Sequence, residues 1–189
     1  TLVVMASWLG FSYASGAYLP ALVFCALFVT FFTGAPVASR LLGDRLESSP
    51  ADFAAPLLLF APAVLARLEP AFVDPRLLFG TVLVVSLVIA CRAIGDRRGD
   101  LHFIGAFFTI AAQAVWSSAH LSVDRLGIAV AIYAVFGVLA TVIPLLARSV
   151  GRPLEPRGGG GVVLIASLAL LLFLSLGNVS PAALWALAL

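Results

Sequence analysis

Five side chains that could do chemistry recur along one apolar stretch, residues 101–121, written LHFIGAFFTIAAQAVWSSAHL. At about 100° per residue, His102, Thr109, Gln113, Trp116 and His120 fall within roughly 40° of one another on a helix. The remaining circumference is mostly Phe, Ile, Ala, Val and Gly. Imidazole changes protonation near neutral pH, so two histidines on one polar line are suited to relaying protons. On that reading His102 stands at the inner mouth of a path, Gln113 near mid-depth and His120 at the outer mouth. The competing role is adhesive. Thr109 and Gln113 would bond a neighbouring helix, at ~0.6–2 kcal/mol, with both histidines at interface depth. Packing is the favoured reading, because no Asp or Glu lies deep in any apolar stretch to share a proton.

Nothing else in the chain points to catalysis. It has no HExxH, no Ser-Gly nucleophile motif inside an apolar stretch and no pair of intramembrane aspartates. The run 158–161 has a phosphate loop's composition but no following Lys-Ser/Thr and no preceding strand, so it reads as a linker. Asn178-Val-Ser180 fits a glycosylation sequon, but Pro181 follows it. Asp44, Glu47, Asp52, Asp96 and Asp100 lie among arginines, where local ion pairing in solvated loops is the default. Glu69, Asp74 and Asp124 are too few, in loops too short, to build a glycosyl-transfer site. Cys25 and Cys91 both sit in apolar stretches and read as small hydrophobes rather than as a disulfide or zinc ligands. The sequence therefore assigns no catalytic residue, no metal and no cofactor, and it disfavours an enzyme.

The elements that must position the polar line are hydrophobic throughout. Of the 189 residues 62% are hydrophobic and only 11% charged, against about 25% charged in soluble domains. Mean hydropathy is +1.15. Several windows approach the ~20 apolar residues needed to cross a bilayer, and continuous runs without alternation exclude a barrel pattern. The pattern predicts an all-α polytopic transmembrane bundle forming a single region, with about six complete spans and two partial ones. These are 1–9 (partial), 17–39, 53–68, 77–94, 101–121, 126–148, 162–177 and 181–189 (partial). Trp8, Phe11, Tyr13 and Tyr18 form an aromatic cluster suited to the membrane–water interface. The 53–68 segment is short, and Pro62 in its interior should kink it. A start at Thr1 and a stop inside an apolar run suggest a piece of a longer chain, whose further helices would be its partners.

Orientation follows from arginine. All eleven basic residues are Arg, a usage that suggests a GC-rich bacterium. Arg40, Arg45, Arg92, Arg97, Arg98, Arg148, Arg152 and Arg157 fall on one set of alternate loops, and only Arg67, Arg76 and Arg125 on the other. Arginine-rich loops stay inside, so loops 40–52, 95–100 and 149–161 are predicted to be cytoplasmic. Those loops open alike, as Arg40-Leu-Leu-Gly43, Arg92-Ala-Ile-Gly95 and Arg148-Ser-Val-Gly151. Duplication would produce this, but so would helix capping, with a cation in the last turn and a left-handed glycine beyond it.

The later part of the chain carries a Trp116 helix end, an Asp124-Arg125-Leu126 turn, Ile143-Pro144-Leu145-Leu146-Ala147-Arg148, Gly151-Arg152-Pro153-Leu154 and then a Leu-rich run. In these features it resembles a family of large bacterial multi-pass proteins, the predicted membrane proteins with a domain of unknown function (number 2339). The resemblance implies a longer inner-membrane chain and brings no catalytic residues. The resulting expectation is a multi-pass bacterial inner-membrane protein, an envelope scaffold in contact with the lipid bilayer and not with nucleic acid. The alternative is a transporter or permease module, of undetermined substrate, that uses the His102–His120 face.

Overall fold

The second apolar segment is where the chain departs from a plain stack of membrane helices. A computed structural model describes residues 2–8, 11, 13–14, 16–41 and 53–155. Its elements are α1 (Leu2–Ser7), α2 (Tyr18–Leu41), α3 (Ala54–Leu58), α4 (Phe60–Leu68), α5 (Arg76–Asp96), α6 (Gly99–His120) and α7 (Leu126–Ser149). Short 3-10 turns at Pro70–Val73 and Val123–Arg125 join α4 to α5 and α6 to α7. The expected spans 162–177 and 181–189 lie outside the described residues.

Four helices are long and apolar enough to cross a membrane: α2, α5, α6 and α7. Segment 53–68 is not a fifth: Ala54–Leu68 is too short, and a turn at Leu59 divides it into α3 and α4. The cause of the turn is Pro62, which has no N–H to offer the Leu58 carbonyl. Cys25 on α2 donates its Sγ–H to that carbonyl at 3.5 Å, and the Leu59 amide turns back to the Pro56 carbonyl. Cys25 is thus buried with a polar task, whereas Cys91 is exposed on α5, unlike the buried pair the sequence suggested. Of the five complete spans expected within the described residues, four are long enough helices and segment 53–68 is not.

Helix α6 is the axis of the bundle. It packs against α3, α4, α5 and α7, and half of its span is buried, against 17% for α7. On α5 the buried residues Leu78, Val82, Val85, Ile89 and Ala93 recur at helical spacing. On α7 only Ala129, Phe136, Ile143 and Ala147 are buried, with Ile132, Tyr133 and Leu139 partly buried beside them. Between membrane helices such contacts hold by close packing and hydrogen bonds, since lipid is as apolar as leucine.

Both turns at the arginine-rich end are tighter than the sequence suggested. Helix α5 runs through Asp96, leaving only Arg97 and Arg98 before α6. The left-handed residue that ends α5 is Arg97, at φ 58°, not Gly95, which is helical. The Arg98 amide bonds the Ala93 carbonyl at 2.8 Å and Arg97 that of Ile94 at 3.4 Å. The end of α7 repeats this geometry with glycine in the left-handed place: Gly151 has φ 70°, and the Arg152 amide bonds the Ala147 carbonyl at 2.8 Å. Both are Schellman caps, but their left-handed residues do not align in the repeated Arg-x-x-Gly sequence.

After α7 the chain is not a loose linker at first. Residues 150–155 fold back over the α5–α6 turn, where Gly99 donates to the Glu155 carbonyl at 2.7 Å and Glu155 to that of Arg97 at 3.0 Å. The rest of that expected linker, with 158–161, lies outside the described residues.

Candidate functional site: the polar face of α6

All five residues of the polar line lie on the packed side of α6, and four of them are buried: His102, Thr109, Gln113 and Trp116. His120, at the end of the helix, is half-buried. Polar groups within a bilayer avoid lipid because an unpaired one costs up to several kcal/mol. The line spans roughly 27 Å at 1.5 Å per residue.

The end nearest the α6–α7 turn is tightly bonded. The Trp116 indole, fully buried, donates Nε1–H to the Phe72 carbonyl at 2.6 Å. Its ring meets Phe79 edge-on at 6.1 Å. His120 Nε2 lies 2.8 Å from the Ala66 carbonyl. A carbonyl can only accept, so this nitrogen carries the proton. Arg125 donates to the His120 carbonyl at 2.9 Å and closes the last turn of α6. The last turn of α4 and the 3-10 turn after it thus supply the carbonyls that the polar line needs.

Midway, Thr109 donates to the Gly105 carbonyl at 3.0 Å and faces Ser86 of α5 at 3.4 Å. Ser117 donates to the Gln113 carbonyl at 2.7 Å and also meets the Tyr133 hydroxyl of α7. Among the described residues, two buried side-chain atoms have no hydrogen-bond partner: His102 Nε2 and Gln113 Nε2, both in residues more than nine-tenths buried. The His102 ring borders Phe103 at 5.4 Å.

Sequence reasoning missed Ser86, Ser117 and Tyr133. Ser117 stands one turn after Gln113 and could have been read into the line, but Ser86 and Tyr133 become neighbours only through packing. It also missed the role of Glu69. This carboxylate is only 4% exposed and accepts from Tyr13 Oη at 2.5 Å, the Gly16 amide at 2.8 Å and the Ala71 amide at 3.3 Å. Those bonds, led by the Gly16 amide, hold its pKa below the usual carboxylate value. Burial, followed by the bond to Glu69, raises that of Tyr13, which stays a donor.

The arginines distribute as follows. Arg92 is inside α5, where its largely buried side chain pairs with Asp96 and donates to the Thr33 carbonyl of α2 at 3.0 Å. Arg98 pairs with Asp100 at 2.7 Å and lies 5.0 Å over the Phe53 ring. Arg97, Arg148 and Arg152 are exposed. The Arg40 side chain, Arg45 and Arg157 lie outside the described residues. Among the described residues no group of His, Cys, Asp and Glu could hold a metal ion. An apolar cavity of about 280 Å³ lined by Val4, Trp8, Pro20, Ala21 and Phe24 includes no residue of the polar line. Comparison with protein-family models, with curated proteins and with solved structures gave no match.

Proposed function

We propose that the chain is part of a multi-pass protein of a bacterial inner membrane and serves as a packing scaffold, with the polar face of α6 as the bond line of its bundle. The observation that carries this reading is the pair of bonds from Trp116 and His120 to the Phe72 and Ala66 carbonyls. They spend the polar side chains on holding the α4 region, not on lining a passage. The resemblance to the bacterial membrane proteins with a domain of unknown function (number 2339) supports the same reading, as does the arginine bias for a cytoplasmic placement of the turn at 95–100 and the segment after α7. Further helices of a longer chain and the bilayer would be its partners.

A transporter or permease reading is favoured by one observation, the unpartnered nitrogens of His102 and Gln113. Thiol accessibility separates the two. With Cys25 and Cys91 replaced, single cysteines at Thr109 and Gln113 should resist a water-soluble thiol reagent in the membrane-embedded protein. Rapid labelling at both positions would replace the scaffold with a water-lined path.

A further inference from the structure

We propose that the arginine-rich end of the bundle binds the headgroups of anionic phospholipids. This rests on the membrane reading above and gives it a lipid chemistry. Among the described side chains that end holds five arginines, Arg92, Arg97, Arg98, Arg148 and Arg152, against three acids, Asp96, Asp100 and Glu155. Asp96 and Asp100 already pair with Arg92 and Arg98. That leaves Arg97, Arg148 and Arg152, all exposed, with one exposed carboxylate, Glu155, beside them. The opposite end is balanced: Arg67, Arg76 and Arg125 face Glu69, Asp74 and Asp124.

The fold gathers these cations. The cap at Gly151 and the bonds between Gly99 and Glu155 turn residues 150–155 back over the α5–α6 turn. Arg152 then reaches the Gly95 carbonyl at 3.3 Å, and Arg97 reaches the Gly151 carbonyl at 3.5 Å. These reciprocal contacts are long and exposed, and a neutral carbonyl leaves the positive charge uncancelled. A guanidinium presents a fork of donors that matches phosphate oxygens two at a time. A lipid, and not soluble phosphate, fits because the site continues into an apolar track. Val138, Thr141 and Leu145 precede Arg148 at helical spacing and are all exposed, so an acyl chain can lie along α7 while its phosphate meets Arg148.

The test is a lipid titration of the purified full chain in mild detergent, read by native mass spectrometry. Dioleoylphosphatidylglycerol should bind at least about tenfold more tightly than dioleoylphosphatidylcholine, at about fivefold per engaged arginine. The combined variant Arg97→Gln, Arg148→Gln, Arg152→Gln should lose this preference, and the corresponding lysine variant should keep most of it. Changing Arg67, Arg76 and Arg125 to Gln together should leave it intact. Equal binding of the two lipids by the unaltered chain would overturn the proposal, even if the glutamine variant failed to fold. Loss of the preference in the opposite-end variant, or full competition by millimolar inorganic phosphate, would do so too. Flotation with phosphatidylcholine vesicles tests the membrane reading separately: a chain that floats but shows no lipid preference refutes only the headgroup site.

Discussion

Glu69 shows how a single residue can hold two distant parts of a membrane bundle together. Its carboxylate takes three donors, two from the turn before α2 and one from its own 3-10 turn. Because its folded pKa is lowered, its contribution is complete above the unfolded carboxylate value of about 4.3 and is lost as pH falls through the folded value. Glu69→Gln should therefore destabilise the detergent-solubilised protein by about 2 kcal/mol at pH 7. Thermal unfolding should show the difference from the native chain shrinking below about pH 4, and a gap that stays constant into acid would refute the assignment. On the polar line, Trp116→Phe strands the Phe72 carbonyl and should cost about 1–3 kcal/mol. Gln113→Leu removes an unpartnered amide nitrogen and should be neutral or stabilising in the same unfolding experiment. A large loss on Gln113→Leu would mean that this amide has a partner, such as bound water. The line itself was legible because helical periodicity alone puts its members on one side. Glu69 was not, since Tyr13 and Gly16 stand 56 and 53 residues away.

At the scale of elements, proline and glycine carried information of unequal quality. The kink expected from Pro62 is present as a one-residue turn at Leu59, and its freed carbonyl is covered by Cys25 of another helix. The expected glycine cap on α5 is absent, because the left-handed position falls two residues later, on Arg97. Local preference disfavours arginine there, and the bonds between residues 97–99 and Glu155 supply a compensation that no local pattern reveals. Gly99 permits that contact: a Cβ in its place would stand 3.0 Å from the Glu155 carbonyl oxygen and 3.1 Å from the Phe103 ring. Gly99→Ala should displace residues 150–155 at a cost of about 1–2 kcal/mol and open the chain after Leu154, buried in the native chain, to proteolysis by chymotrypsin. Arg97→Gly relieves the left-handed strain and should add about 1 kcal/mol of stability. Unchanged proteolysis in the alanine variant would mean that this segment is held by something other than the Gly99 contact.

At the scale of the whole molecule, four long apolar helices among the described residues join these two ends, and the ends differ in charge. The arginine-rich end combines the C-termini of α2, α5 and α7, tied by Arg92 to Thr33 and by Arg152 to Gly95. The other end carries Glu69, Asp74 and Asp124 beside its three arginines. Among the described residues only segment 53–68 falls short of the expected spans, because hydropathy counts apolar residues without setting how long a helix they form. The alternation of charge was legible because it depends only on composition at the turns. With net positive charge at one end and balance at the other, the basic end should stay inside. In a variant without Cys25 and Cys91, Asp124→Cys should react with a membrane-impermeant thiol reagent added to intact right-side-out vesicles. Glu155→Cys should react only after the vesicles are opened. The opposite pattern would reverse the orientation, and labelling of both before opening would mean that the four helices do not separate the two ends across a bilayer.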